Sequence, residues 1–155
     1  MLNCHFLHSV CKLGSNKFVV TGSHDYFFAD GARKAEVYDS DKNQWEELPD
    51  LNAARRMHSS CAIGTTVYVF RGMTKNQKLI NTVEKYDIAS NETEWTDMFI
   101  RGLMPRVQSG IAVIEHEVIL LGGSVNHIGT KSAGATSSAV LIYDTKKDEL
   151  RRTAF

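Results

Sequence analysis

Four residues near the start of the chain, Cys4, His5, His8 and Cys11, carry the side chains that zinc takes. Two thiolates and two imidazoles would suit a closed tetrahedral site. The pattern reads better as structure. His8 and Cys11 return one unit later as His58 and Cys61, and His5 stands where later units have Arg55 and Arg106. Alternation along a strand would also send these side chains to different faces. No metal is expected. The run 123–132 (Gly-Ser-Val-Asn-His-Ile-Gly-Thr-Lys-Ser) looks like a phosphate loop but has the wrong spacing, because Lys must directly follow the second Gly. No helix is expected after it to supply backbone donors and a dipole. Ser59 and Ser109 lie beside no His–acid pair, and no Gly-x-Ser-x-Gly elbow occurs. No catalytic group and no cofactor site is expected.

The elements that carry these residues repeat about every 50 residues. His8 through Gly22 is echoed by His58 through Gly72, and Arg55 through Gly72 by Arg106 through Gly123. Glu36-Val37-Tyr38-Asp39 answers to Glu84-Lys85-Tyr86-Asp87 and to Leu141-Ile142-Tyr143-Asp144, and Trp45 answers to Trp95. Phe18-Val19-Val20, Val67-Tyr68-Val69-Phe70 and Val118-Ile119-Leu120-Leu121 are short β-branched and aromatic runs. Each follows another apolar run after a three- or four-residue connector, which fits strands buried on both faces. Residues 38–43 and 86–91 predict polar hairpin turns, where Asp and Asn bond the local backbone. No sustained helical stripe is visible. Each unit therefore reads as four antiparallel strands, and the chain as all-β.

A strand, a tight loop, an apolar strand ending in Gly, a variable loop, a Tyr-Asp strand and a Trp strand together resemble a kelch repeat. The middle unit carries the pattern best, with Arg55, His58, Val67 to Gly72, Thr82 to Asp87 and Glu94-Trp95. The resemblance covers nearly the whole chain as three units, roughly 4–54, 55–105 and 106–155. It departs in two places. Only Gly122-Gly123 keeps the double glycine, against Thr21-Gly22 and Arg71-Gly72, and Leu150 stands at the third Trp position. The resemblance implies three kelch-type four-stranded antiparallel blades, a partial β-propeller. Glycine closing the second strand allows close backbone approach. Tyr38, Tyr86, Tyr143, Trp45 and Trp95 are expected to be structural, supplying large buried area.

Propellers typically have 4–8 blades, so three leave a bare apolar face at each end. Repeat arrays normally carry polar caps, and neither end looks capped. The first strand is expected from about His5 and the last over 150–155. The chain is expected to be a segment of a longer propeller, or to be completed by a second copy, with a six-bladed dimer the simplest closure.

A formal net charge of zero argues against a strongly basic nucleic-acid footprint. No apolar run approaches membrane-spanning length, and no signal peptide is visible. Three cysteines are too few for a disulfide framework; Cys11 and Cys61 are expected in the core. The sequon Asn91-Glu92-Thr93 carries little weight without a secretory signal. The expected setting is cytoplasmic.

Partners of kelch propellers commonly dock on the loops joining second to third strands and on the connections between blades, and the resemblance implies the same here. Those loops are 23–34, 73–81 and 124–137. The first holds His24, Asp25, Tyr26, Phe27 and Phe28, aromatic for a loop, with Arg33 beyond; Phe27 and Phe28 could instead extend a strand or fold back on the blade. Aromatics and Arg are enriched at interaction hot spots. The second is polar and basic, with Lys75, Asn76 and Lys78; the third is long and holds Asn126, His127 and Lys131. At the blade junctions Arg55 and Arg106 are repeat positions and read as structural, while Arg56 and Arg101 read as freer to bind.

The function expected is that of a non-catalytic protein-interaction module. The resemblance implies a scaffold or substrate-recognition domain, including the ubiquitin-ligase adaptor type, although no BTB-like or F-box-like region is visible. It leaves two alternatives, a kelch-type enzyme (copper oxidase or sugar-processing) and an actin-associated structural protein. An enzyme would need acids, His or Tyr converging at one channel mouth.

Overall fold

A computed structural model of the chain describes residues 1–22, 32–125 and 136–153. Among the described residues twelve strands form three four-stranded sheets in chain order. The first blade holds β1 (Ser9–Leu13), β2 (Lys17–Thr21), β3 (Ala35–Asp39) and β4 (Gln44–Leu48). The second holds β5 (Ser59–Ile63), β6 (Thr66–Phe70), β7 (Val83–Asp87) and β8 (Thr96–Met98). The third holds β9 (Gly110–Ile114), β10 (Glu117–Leu121), β11 (Val140–Asp144) and β12 (Glu149–Arg152). Every strand pairs antiparallel with its sequence neighbour within the blade. This is an all-β chain of three kelch-type blades, a partial propeller.

Two boundaries differ from expectation. The first strand begins at Ser9 rather than near His5, because residues 2–5 are spent on β3 and on the end of β2: Asn3 N–H donates to Glu36 at 2.7 Å and His5 Nδ1 donates to the Gly22 carbonyl at 2.8 Å. The last strand ends at Arg152.

Blades pack face to face through two apolar clusters. Between the first and second lie Cys11, Leu13, Val19 and Val37 against Val67, Val69, Tyr86 and Trp95. Between the second and third lie Cys61, Phe70 and Val83 against Val118, Leu120 and Tyr143. Among the described residues only the middle blade is covered on both sides, so burial on both faces holds there and not in the outer blades. β9 alternates exposed and half-buried positions along its length. Ile114 is 59% and Leu121 43% exposed on the far face of the third blade, and Val10 is 50% exposed on the near face of the first.

Backbone bonds tie the blades at their inner edge. Met57 N–H donates to the Leu7 carbonyl and Gln108 N–H to the Met57 carbonyl, each at 2.9 Å. Leu7, Met57 and Gln108 all sit at positive φ (56°, 53° and 54°). That conformation is uncommon for residues other than Gly, and its recurrence at one repeat position shows that it serves the ladder.

Candidate interaction surface

Strand direction separates two rims. The β1–β2 and β3–β4 turns share one rim, where Ser40 N–H bonds the Asn16 carbonyl; Ile88 to Thr65 and Thr145 to His116 repeat the contact. The second-to-third loops and the blade connectors share the other rim.

On that second rim the connector and the loop grip each other. Arg56 and Met73 exchange both backbone bonds at 3.0 Å, and Val107 and Ser124 repeat the bridge at 2.9 and 3.0 Å. The glycine before Met73 is required: Gly72 has φ +96°, and a Cβ there would lie 2.8 Å from both the Arg56 carbonyl and the His58 Cβ. Beyond it the chain makes a bonded tight loop, with Thr74 N–H to the Lys78 carbonyl at 2.9 Å and Ile80 N–H to the Gly72 carbonyl at 2.9 Å. Met73 and Ile80 are buried beneath, so Lys75, Asn76 and Lys78 are held outward in solvent.

The other sequence-derived site residues fall in different places. Arg33 is exposed, its Nε donating to the Leu51 carbonyl at 2.6 Å, and Arg101 is exposed on the second-to-third connector. Arg56 corrects the expectation of a freer residue: it is 9% exposed, because the backbone bridge to Met73 draws it into the junction. His24, Asp25, Tyr26, Phe27, Phe28, Asn126, His127 and Lys131 lie outside the described residues.

The junctions hold a buried polar network. Arg55, fully buried, donates from Nη2 to Glu84 Oε1 at 2.6 Å and from Nη1 to the Arg71 carbonyl at 2.8 Å. Glu84 also accepts the backbone N–H of Asn52 at 2.6 Å and of Ala53 at 3.0 Å. His58 sits beside it with Nε2 2.9 Å from Thr21 Oγ1. Burial, helped by the Arg55 charge, pushes its imidazole down to about 3. Repeat alignment already put Arg55 and Glu84 at recurring positions; their pairing was invisible because they belong to different elements.

The four amino-terminal Cys and His residues do not converge. Cys11 is in the core, where burial raises its thiol to about 11, while Cys4 is exposed. Among the described residues no group of three or more His, Cys, Asp or Glu could hold a metal ion. Ser59 Oγ donates to the Ser109 carbonyl at 2.6 Å, joining the second and third blades.

Comparison with known proteins agrees with this architecture. The Kelch motif family model matches residues 54–96, the unit whose sequence pattern is most complete. Kelch-like protein 36 of Bos taurus is 28% identical over 136 residues, covering 84% of this chain and 21% of that protein. Kelch-like protein 15 of Gallus gallus is 28% identical over 142 residues, 89% of this chain and 27% of that protein. Alpha-scruin of Limulus polyphemus is 33% identical over 110 residues, 70% of this chain and 11% of that protein. The chain thus spans roughly a quarter or less of the length of these relatives. With one unit matched by the model and the same four-stranded plan repeated on either side of it, the chain belongs to the kelch-repeat family.

Proposed function

We propose that this chain is a non-catalytic protein-interaction module that engages a protein partner through the rim built from its second-to-third loops and blade connectors, as a scaffold or substrate-recognition element. The observation that carries the reading is the loop 73–80. Buried Met73 and Ile80 and five backbone bonds (including both between Arg56 and Met73) fix a tight turn whose outward residues are Lys75, Asn76 and Lys78. Variable polar side chains on a rigid support are what a recognition surface needs. Likeness to kelch-like proteins supports the adaptor form of the reading. A cytoplasmic setting is part of the proposal, supported by three unpaired cysteines.

The test compares cross-linked partners of the wild-type chain with those of two charge-reversed forms. Lys75→Glu with Lys78→Glu alters the proposed rim; Lys42→Glu with Lys146→Glu alters the opposite one. Loss of the same partner bands only in the first form is expected. Equal loss in both, or in neither, removes the rim from the reading. Turnover of a small molecule by the isolated chain would move it to the enzyme class, and salt-dependent co-sedimentation with actin to a structural role.

A further inference from the structure

The first two blades solve one problem in the same way. Where the connector enters each blade it brings two backbone N–H groups and a basic side chain to the third strand, and a buried glutamate accepts the N–H groups with the basic side chain beside it. In the second blade Glu84 takes Asn52 and Ala53 N–H and the Arg55 guanidinium. In the first, Glu36 takes Leu2 N–H at 3.1 Å and Asn3 N–H at 2.7 Å, with His5 Nε2 3.4 Å away. Thr82 completes the second site, its Oγ1 accepting from Arg55 at 3.2 Å.

The third blade keeps the cation and lacks the anion. Arg106 stands at the Arg55 position, Leu141 at that of Glu84, Ala139 at that of Thr82 and Gly122 at that of Arg71. All four line one cavity of about 250 Å³. The Arg106 guanidinium makes a single hydrogen bond among the described residues, to the Gly123 carbonyl at a long 3.5 Å. Arg71 lies beside it, 2% exposed, with Nε and Nη2 unpartnered among the described residues. Burial and the Arg106 charge lower its guanidinium to about 10. Exposed Arg101 and Arg152 stand at the cavity margin, and no Asp or Glu among the described residues lines it; Arg151, also on the lining, is spent on Glu117 at 2.6 Å. A cation drawn out of water without an anionic partner is costly; Arg71 has only Ser109 Oγ, at 3.0 Å from Nη1, and the half-buried Arg106 lines a cavity from which the carboxylate of the first two blades is missing.

We propose that this cavity binds a carboxylate group from outside the chain, seated where Glu84 sits one blade earlier and held by Arg106 with Arg152 at the mouth. The volume suits a side chain or small acid rather than a nucleotide. Two sources present that chemistry, a free dicarboxylic acid and an acidic side chain of a bound polypeptide.

The test uses glutarate, inorganic phosphate and sodium chloride at matched ionic strength in thermal unfolding. Alongside it, fluorescence polarisation compares a labelled Gly-Glu-Gly-Glu-Gly peptide with its Gln analogue. Glutarate is expected to raise the midpoint above chloride, or the Glu peptide to bind at least roughly tenfold tighter than the Gln peptide, the scale of one charged hydrogen bond. The first result alone assigns a free acid, the second a polypeptide side chain. Leu141→Glu supplies the carboxylate internally, so it should raise the midpoint and abolish either effect. Arg152→Gln, on an exposed residue, should weaken them without unfolding the chain. Equal responses to glutarate, phosphate and chloride together with equal binding of the two peptides would overturn the site, as would effects that survive both substitutions. Stronger stabilisation by phosphate than by glutarate would overturn the carboxylate assignment.

Discussion

Buried polar residues at the blade junctions couple this fold to pH. His58 is neutral in the folded chain down to about 3, against 6.5 for a free imidazole, because burial and Arg55 oppose its charge. As pH falls the unfolded chain takes up this proton first. The stability carried by neutral His58 is therefore complete above about 6.5 and is lost progressively toward 3. Glu36 acts with the same sign at lower pH. Burial raises its carboxyl, but the Asn3 side chain, the Leu2 and Asn3 N–H groups and His5 outweigh that and hold it below its ordinary 4.5. The urea midpoint should consequently fall between pH 7 and pH 5, before carboxylates titrate. His58→Gln should lower the midpoint at pH 7 and reduce the slope in that window, leaving the part due to His8, whose imidazole burial also lowers. A wild-type midpoint that is flat from pH 7 to pH 5 would show that His58 is not held neutral.

Blade packing gives equivalent aromatic residues unequal weight. Trp95 precedes the three-residue β8, lies tilted against Tyr86 with ring centres 5.4 Å apart and donates from Nε1 to the Pro49 carbonyl at 2.7 Å, leaving it 3% exposed. Trp45 makes the same aromatic contact, 4.9 Å from Tyr38, but on the open face of the first blade, where it stays half-buried. Trp95→Ala should cost about 3–5 kcal/mol, the range for a buried aromatic. Trp45→Ala should cost less than half of that. Chemical denaturation of both variants measures the ratio, and equal losses would mean that the open face is covered in solution. The third unit, with Leu150 across from Tyr143, keeps the same strand register. The tryptophan is thus a packing choice and not a requirement for the fourth strand.

Two open sheet faces dominate the behaviour of the whole molecule. The far face of the third blade presents Ala112, Ile114, Ile119, Leu121 and Ile142, and the near face of the first presents Val10, Phe18, Tyr38 and Trp45. Aliphatic residues facing Tyr and Trp is the same pairing that seals the first blade against the second. Contiguous exposed apolar surface of this kind marks an interaction site. The chain is expected to self-associate in light scattering, with mass rising with concentration toward a dimer. Ile114→Glu with Leu121→Glu should return it to a monomer with the blade structure intact by circular dichroism. A wild-type chain that stays monomeric at high concentration would show that these faces do not pair with each other.

How much of this was legible beforehand follows from the range of the forces involved. Strand order, the hairpin turns and the two apolar clusters follow from residues that repeat about every 50 positions, because their contacts lie within one blade or between neighbouring blades. Cys11 and Cys61 in the core, and the structural role of Tyr86 and Trp95, were readable for the same reason. The start of β1 was misplaced because His5 is held by Glu36, more than thirty residues along the chain, and no local pattern announces such a partner. Arg56 looked like a free surface residue until its backbone paired with Met73. Residue types and their spacing suffice for the repeat, the strand class and the family. Which charges are matched depends on how the blades come together. Arg55 finds Glu84 and Arg106 finds Leu141 across separate elements, and the energy of a buried ion depends on that proximity rather than on position in the chain.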